Sequence, residues 1–172
     1  MDVDWTLVTG VSSTAIALCA LGLSVWQGYQ ARKHNRLAVR PHLTTWSHSD
    51  VEERCYAVEV MNNGIGPALI ESFSVQVDGT AIPGEETEAV NQAMKIVFRS
   101  FNYRVHVAQL AKGYSMPQNE RRVLVSLRFV GPEFPTDKLV ERAFERCDLE
   151  IKYKSFYEEQ FVYSSRIKHA SQ

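Results

Sequence analysis

The sequence predicts a mainly β domain, an antiparallel β-sandwich with one or two short helices, preceded by a single transmembrane α-helix. From Trp5 to Ala31 there is no Asp, Glu, Lys, Arg or His, whereas the rest of the chain is richly charged. After Pro41, about seven short segments have strand character, and most place apolar residues at every second position. Turn residues separate these segments without a regular strand–helix alternation, which favours an antiparallel over a parallel sheet.

The apolar run from Trp5 to Trp26 is long enough to cross a bilayer. As an α-helix its 22 residues would span roughly 33 Å, against a hydrocarbon core about 30 Å thick. Trp5 at one end, and Trp26 and Tyr29 at the other, are amphipathic aromatic residues that prefer the membrane interface. Ser and Thr inside the run can donate hydrogen bonds to carbonyls of their own helix, so they do not oppose insertion. We therefore expect the lipid bilayer to be a partner.

Three other interpretations of this run are less favoured. A cleaved signal peptide would begin with basic residues and end at a small-x-small site, but the chain begins with the acidic Met1–Asp4 and shows no such site. A lipoprotein signal would need a small residue before Cys19, which instead follows Leu18. A helix lying on the membrane surface would show a charged face.

Basic residues after the run predict its orientation. Arg32, Lys33, Arg36 and Arg40 follow the helix, whereas no Lys or Arg precedes it. Lys and Arg are retained on the cytoplasmic side, so we expect the N-terminus outside and the C-terminal domain in the cytoplasm, at the cell (inner) membrane. The same residues could attract anionic headgroups at about 1 kcal/mol each. We favour the simpler interpretation, in which they set the topology.

These features divide the chain into three parts. Residues 1–31 form the N-terminal tail and transmembrane helix, residues 32–40 a basic juxtamembrane linker, and residues 41–168 the β-sandwich domain. The boundary at Arg40-Pro41 follows from proline, which stops a helix and favours an extended residue before it.

Small residues recur at every fourth position of the helix and form two faces that permit close helix–helix approach. They predict possible self-association, although small residues are also common in membrane helices. The two faces are Thr9, Ser13 and Ala17, and Ala20, Ser24 and Gly28.

Strands and helices of the domain are predicted from periodicity. In the clearest strand, we expect Val123, Val125, Leu127 and Phe129 on one face and Leu124 on the other. The predicted strands are His42–His48, Tyr56–Val60, Leu69–Val77, Tyr103–Val107, Arg121–Phe129, Leu149–Lys154 and Gln160–Ser165. The predicted helices are Glu85–Phe98 and Thr136–Arg146.

A dense turn signal follows the second strand at Asn63, Gly64, Gly66 and Pro67. The glycines permit positive φ, and Pro67 fixes the exit of the chain. The pattern lacks the third glycine of a dinucleotide loop and the Gly-Lys-Ser/Thr of a phosphate loop. We therefore interpret this turn as structural.

The stretch Val58–Ala68, with its strand and Asn-x-Gly turn, resembles a corner of bacterial immunoglobulin-like sandwich domains. The layout as a whole is similar to that of uncharacterised small prokaryotic single-pass membrane proteins: one N-terminal helix, the Arg32–Leu37 junction, Arg40–Leu43, the glycine turn and a sandwich. This resemblance implies an immunoglobulin-like fold and a membrane topology, and it brings no catalytic residues with it. Such sandwiches usually lie outside the membrane, whereas the charge rule places this one inside.

The sequence contains no motif for catalysis, metal or cofactor binding, so we expect a protein that is not an enzyme. Cys55 and Cys147 could pair only if the domain were exported, and with Cys19 they fit no zinc spacing. The histidines show no ligand spacing, and no small-molecule substrate is inferred. A net charge of −1 over 172 residues argues against nucleic acid as a partner.

Aromatic residues crowd the last predicted hairpin at Phe156, Tyr157, Phe161 and Tyr163. They could form a partner surface or belong to the core. We expect a membrane-anchored, non-enzymatic module that binds a protein partner or self-associates at the cytoplasmic face. The alternative is a membrane effector, whose helices oligomerise and perturb the bilayer when the domain senses a signal. A third class is an exported sandwich with a Cys55–Cys147 bond.

Overall fold

The computed structural model describes residues 4–50, 53–108, 110–132 and 135–166. The first three residues of the predicted tail and the predicted domain end at residue 168 lie outside the described residues. The chain forms two compact units, residues 1–38 and 39–172.

The first unit is helix α1, Trp5–Ala38, which is 34 residues long and therefore about 51 Å at ~1.5 Å per residue. It is long and apolar enough to cross a membrane, and none of its residues is buried. The hydroxyls of Thr9, Ser13, Thr14 and Ser24 donate to carbonyls four residues earlier at 2.8–2.9 Å. For these four hydroxyl groups, the bonds confirm the expectation that the helix supplies the acceptors.

The second unit is mainly β, as predicted, and the residues described contain nine strands and two further helices. The strands are β1 (Leu43–Asp50), β2 (Cys55–Asn62), β3 (Ala68–Val77), β4 (Thr80–Ala81), β5 (Tyr103–Val107), β6 (Ser115–Met116), β7 (Arg121–Phe129), β8 (Cys147–Lys154) and β9 (Gln160–Ser164). The helices are α2 (Glu86–Val97) and α3 (Asp137–Glu145). All seven predicted strands and both helices are present. The two-residue strands β4 and β6 are too short to show alternation, so the sequence did not reveal them.

The strands form two antiparallel sheets. One has the order β1-β2-β7-β5, and the other has the order β4-β3-β8-β9 with β6 also paired to β3. The turn between β3 and β4 is the dipeptide Asp78-Gly79, whose φ values of 52° and 79° suit a two-residue hairpin.

The core consists of two apolar clusters, and both sheets contribute side chains to each. The first cluster joins β3 and β7 to α2 and α3, with Phe98 fully buried among the rings of Phe129, Tyr103 and Phe144. The second cluster comprises Leu43, Val60, Ala68, Ile70, Leu110, Met116, Leu124, Ile151 and Tyr153.

One prediction about side-chain direction is wrong. Val58 pairs with Val125 and Glu59 pairs with Val123, so Leu124 is an extra residue in β7 at this irregularity. Such a bulge interrupts the alternation of faces. Leu124 is therefore 3% exposed and lies in the second core cluster, although strict alternation would have placed it on the face opposite the buried Val125.

Candidate functional site

The turn between β2 and β3 holds the segment that follows α1, Val39–His42, which we call the post-helix segment. The His42 carbonyl accepts from the Asn63 N–H at 2.8 Å, and the Arg40 carbonyl accepts from the Gly66 N–H at 3.5 Å. Pro41 is fully buried. The post-helix segment is thus an integral part of the second unit.

Asn62, at the end of β2, is the polar centre of this arrangement and is 0% exposed. Its side chain joins three segments of the domain through main-chain groups. Oδ1 accepts from the N–H groups of His42 (3.1 Å) and Gly64 (3.0 Å), and Nδ2 donates to the carbonyls of Gly66 (2.8 Å), Met116 (3.0 Å) and Pro117 (3.3 Å).

Asn63 was the predicted turn residue, whereas the buried side chain at the centre of the turn is that of its neighbour Asn62. Asn63 is exposed, and its Nδ2 donates to the Thr44 hydroxyl at 2.6 Å. A signal for Asn62 was nevertheless present. The period-two pattern of β2 places Asn62 on the same face as Val58 and Val60, and that face points into the core.

The prediction that Gly64 and Gly66 serve through positive φ is wrong, because neither adopts it. Both are needed because the backbone of the post-helix segment approaches them closely. A Cβ on Gly66 would lie 1.7 Å from the Val39 carbonyl oxygen, and a Cβ on Gly64 would lie 2.3 Å from the His42 nitrogen. Pro67 follows, half-buried, directly before β3.

The predicted membrane-flanking residues fall into both units. Trp5, Trp26 and Tyr29 lie on α1 and are 59–73% exposed. The basic residues Arg32, Lys33 and Arg36 also lie on α1, which continues well past the predicted apolar span.

Arg40, the fourth basic residue, belongs to the post-helix segment of the second unit. Its guanidinium lies over the Phe161 ring, 5.0 Å from the centroid. Arg40 is therefore engaged within the domain, whereas the other three basic residues are placed along the helix.

The four aromatic residues of the last hairpin do not form one surface. Phe161 stacks on Tyr153 with ring centroids 5.5 Å apart, and the Tyr163 hydroxyl bonds the Thr45 hydroxyl. Both pack against the second core cluster. Phe156 and Tyr157, in the turn between β8 and β9, are 62% and 45% exposed. The exposed part of the predicted partner surface is therefore this turn.

A cleft of about 590 Å³ opens between the two sheets. Its inner walls are apolar, and Tyr56 stacks on Phe144 with ring centroids 5.0 Å apart and planes inclined by 17°. The apolar lining comprises Tyr56, Val58, Phe73, Val75, Val90, Met94, Leu124, Val125, Phe144, Cys147 and Leu149. The other lining residues are the aromatic Trp46 and the polar Thr45, Ser47, Glu141, Glu145, Asp148 and Ser165.

Electrostatics at the cleft are set by its acidic groups. Burial, together with the nearby Glu141 and Asp137 carboxylates, raises the pKa of the Tyr56 hydroxyl. Burial raises the pKa of the Cys147 thiol to about 12. Asp148 pairs with Arg166 at 3.1 Å. The cleft lining thus contains three acidic side chains and no Lys or Arg among the described residues, and the raised pKa values keep the Tyr56 hydroxyl and the Cys147 thiol neutral at pH 7.

The raised pKa of Cys147 predicts an inert thiol. At pH 8 its thiolate fraction is expected to be about a thousandfold lower in the folded domain than after unfolding. Iodoacetamide should therefore leave Cys147 unmodified in folded protein and label it after urea unfolding, as measured by peptide mass spectrometry. Equal labelling rates in both states would be inconsistent with this environment. Because the folded pKa exceeds the unfolded value, the thiol's contribution to stability is present below pH 9 and is lost between about pH 9 and 12.

Chemically, this arrangement offers binding surfaces. Within the described ranges, no three His, Cys, Asp or Glu side chains form a group that could hold a metal ion. Cys55 and Cys147 are free thiols on different sheets, and Cys55 Sγ lies 3.4 Å from the Ser126 hydroxyl oxygen. A scan of protein-family models and a search of curated proteins both found no match to this chain.

Proposed function

We propose that this chain is a single-pass protein of the cell (inner) membrane, with its N-terminus outside and a non-enzymatic, immunoglobulin-like β-sandwich at the cytoplasmic face. The module binds protein, and a second copy of the chain is the first candidate partner. The length and apolar surface of α1 support the membrane anchor. Two antiparallel sheets that share both core clusters support the sandwich.

The open edge of strand β1 is the observation that carries the binding proposal. In the described part of the chain, β1 has one strand partner, β2, and therefore ends its sheet. Natural proteins protect such edges with Lys, Pro or bulges, because unpaired main-chain groups recruit other strands. Leu43–Ser49 contains no Lys, Arg or Pro, and its Trp46 is 71% exposed.

The alternation of hydrogen-bonded residues along β1 shows which of its main-chain groups face outward. The His42 carbonyl accepts from Asn63 N–H, so residues of even number in β1 bond with β2. By alternation, Ser47 and Ser49 direct their N–H and C=O groups away from β2. A further antiparallel strand could bond to these groups, with Trp46 available for side-chain contact.

Photo-crosslinking at the edge tests this proposal. With a photoreactive amino acid in place of Ser47, the full chain in native membranes should form an adduct with twice its own mass. The matched control is the same amino acid at Ile65, which is 63% exposed but lies outside β1. Ser47→Pro removes an outward N–H without removing a hydrogen bond to β2, and it should weaken self-association at least about tenfold.

The mass of the crosslinked adduct distinguishes the candidate partners. An adduct of a different mass would identify another protein on the same edge and would replace the second copy as partner. No adduct at Ser47, or equal adducts at Ser47 and Ile65, would overturn binding through β1.

The membrane-effector function is the second candidate, and the surface of α1 favours it. On the two small-residue faces of α1, a Cβ at Gly28 would meet nothing within 4 Å, and the hydroxyls of Thr9, Ser13 and Ser24 are satisfied by their own helix. These faces could therefore approach another helix closely. Crosslinking in membranes that detects only monomeric helices, together with an intact membrane potential on expression, would exclude the effector function.

A further inference from the structure

The cleft between the sheets has the dimensions of a ligand site. Its volume of about 590 Å³ falls within the range of small-molecule pockets, about 300–1,000 Å³, whereas protein interiors are otherwise closely packed. Apolar side chains project into this space without being fully covered by neighbours. They are the half-buried Tyr56, Val58, Phe73, Phe144, Cys147 and Leu149.

The walls of the cleft define the body of a ligand. Both sheets contribute aliphatic side chains, and the stacked Tyr56 and Phe144 rings form a flat aromatic wall. Val75, Val90, Met94 and the bulged Leu124 lie deeper and are themselves 3–6% exposed. Such walls favour an apolar body, because each buried methylene contributes to affinity through removal from water.

The mouth of the cleft defines the charge of the ligand. Glu141 and Glu145 are one helical turn apart on α3 and line the same opening. Within the described ranges neither has an ion-pair partner, whereas Asp148 is paired with Arg166. No Lys or Arg is among the described residues that line the cleft. An anionic group at this mouth would be repelled, and a cationic group would gain two carboxylates.

We infer that this cleft binds a small molecule with an apolar body and one positively charged end, the body lying between the sheets and the cation beside Glu141 and Glu145. The cleft lining includes Thr45, Trp46 and Ser47 of β1, but ligand binding here rests on the apolar walls and the carboxylates of α3 and does not depend on the proposed self-association. Binding here would give the domain a ligand-responsive site.

Three probes with the same body and different head groups test the inference: octylammonium, octanol and octanoate. Binding to the full chain in nanodiscs is measured by calorimetry, with empty nanodiscs subtracted. Octylammonium is expected to bind about tenfold more tightly than octanoate, since two partly exposed carboxylates act on the charged group. Octanol should bind with intermediate affinity. Equal or tighter binding of octanoate would overturn the inference.

Variants assign the binding to this cleft. Glu141→Gln with Glu145→Gln should reduce the preference for octylammonium to less than about threefold and leave octanol binding unchanged. The matched control, Glu85→Gln with Glu88→Gln, changes net charge equally at the N-terminal end of α2, outside the cleft lining, and should retain the preference. An unchanged preference in the α3 variant would contradict the charge assignment.

Filling the cleft provides an independent test. Leu149→Trp should abolish binding of all three probes, and Val58→Phe serves the same purpose if the larger residue prevents folding. A folded, filled variant that binds the probes like the original chain would show that they bind elsewhere and would overturn the inference.

Discussion

Replacing Asn62 with alanine is expected to lower the free energy of unfolding of the domain by about 3–5 kcal/mol. The substitution would leave the N–H groups of His42 and Gly64 and the carbonyl of Gly66 without their buried partner. Each buried polar group left unsatisfied costs about 1–3 kcal/mol, and the groups here belong to one network. Pulse proteolysis of the full chain in nanodiscs, across a urea series, measures the change.

The neighbouring asparagine is the matched control. Asn63→Ala removes one exposed hydrogen bond, to Thr44, and should cost about 1 kcal/mol or less. Asn62→Asp keeps the acceptor oxygen but loses the donor to Gly66, so it should be nearly as harmful as Asn62→Ala. Equal losses for Asn62→Ala and Asn63→Ala would refute the role of the buried amide.

Gly66→Ala is expected to prevent the domain from accumulating as a folded species, with a loss above about 4 kcal/mol. The new Cβ would lie 1.7 Å from the carbonyl oxygen of Val39 and 2.3 Å from the carbonyl carbon of the same residue. Both are main-chain atoms, so no side-chain rotation relieves the overlap, and the turn or the post-helix segment must move. The same proteolysis series, with the level of folded protein in membranes, provides the measurement.

A glycine in open space controls for the general effect of substitution. Gly113 has a φ of +86° and nothing within 4 Å of an added Cβ. Asparagine tolerates that backbone conformation, so Gly113→Asn should cost about 1 kcal/mol or less. A folded Gly66→Ala variant of near-original stability would contradict the close approach of Val39.

Local patterns in the sequence predicted most of the strands and helices. Strand periodicity and turn dipeptides act over a few residues, so β3 and its Asp78-Gly79 turn could be recognised without knowledge of their neighbours. The inward turn of Leu124 could not, because the bulge exists only relative to the β2 register. Similarly, Gly64 and Gly66 are required by an approach of distant backbone, which no local pattern reveals.

The candidate sites were less predictable than the fold. The edge position of β1 depends on strand order, and the cleft depends on where the two sheets leave space, so both are properties of tertiary packing. The acidic pair Glu141 and Glu145 becomes meaningful only because α3 lies at the mouth of that cleft. The position of the aromatic β8–β9 hairpin could be predicted from composition. The exposure of its rings could not, because Phe161 is partly covered by packing against Tyr153.

Protease digestion of the full chain most directly tests the proposed single-pass anchor and its orientation. Intact spheroplasts are compared with inverted membrane vesicles. Alkaline extraction of the same membranes, done separately, shows whether the chain is embedded in the bilayer. The basic residues Arg32, Lys33 and Arg36 predict that residues 39–172 are protected in spheroplasts and digested in inverted vesicles, with the chain retained in the membrane. Digestion of the domain in intact spheroplasts, or release of the chain by alkaline extraction, would contradict the proposal.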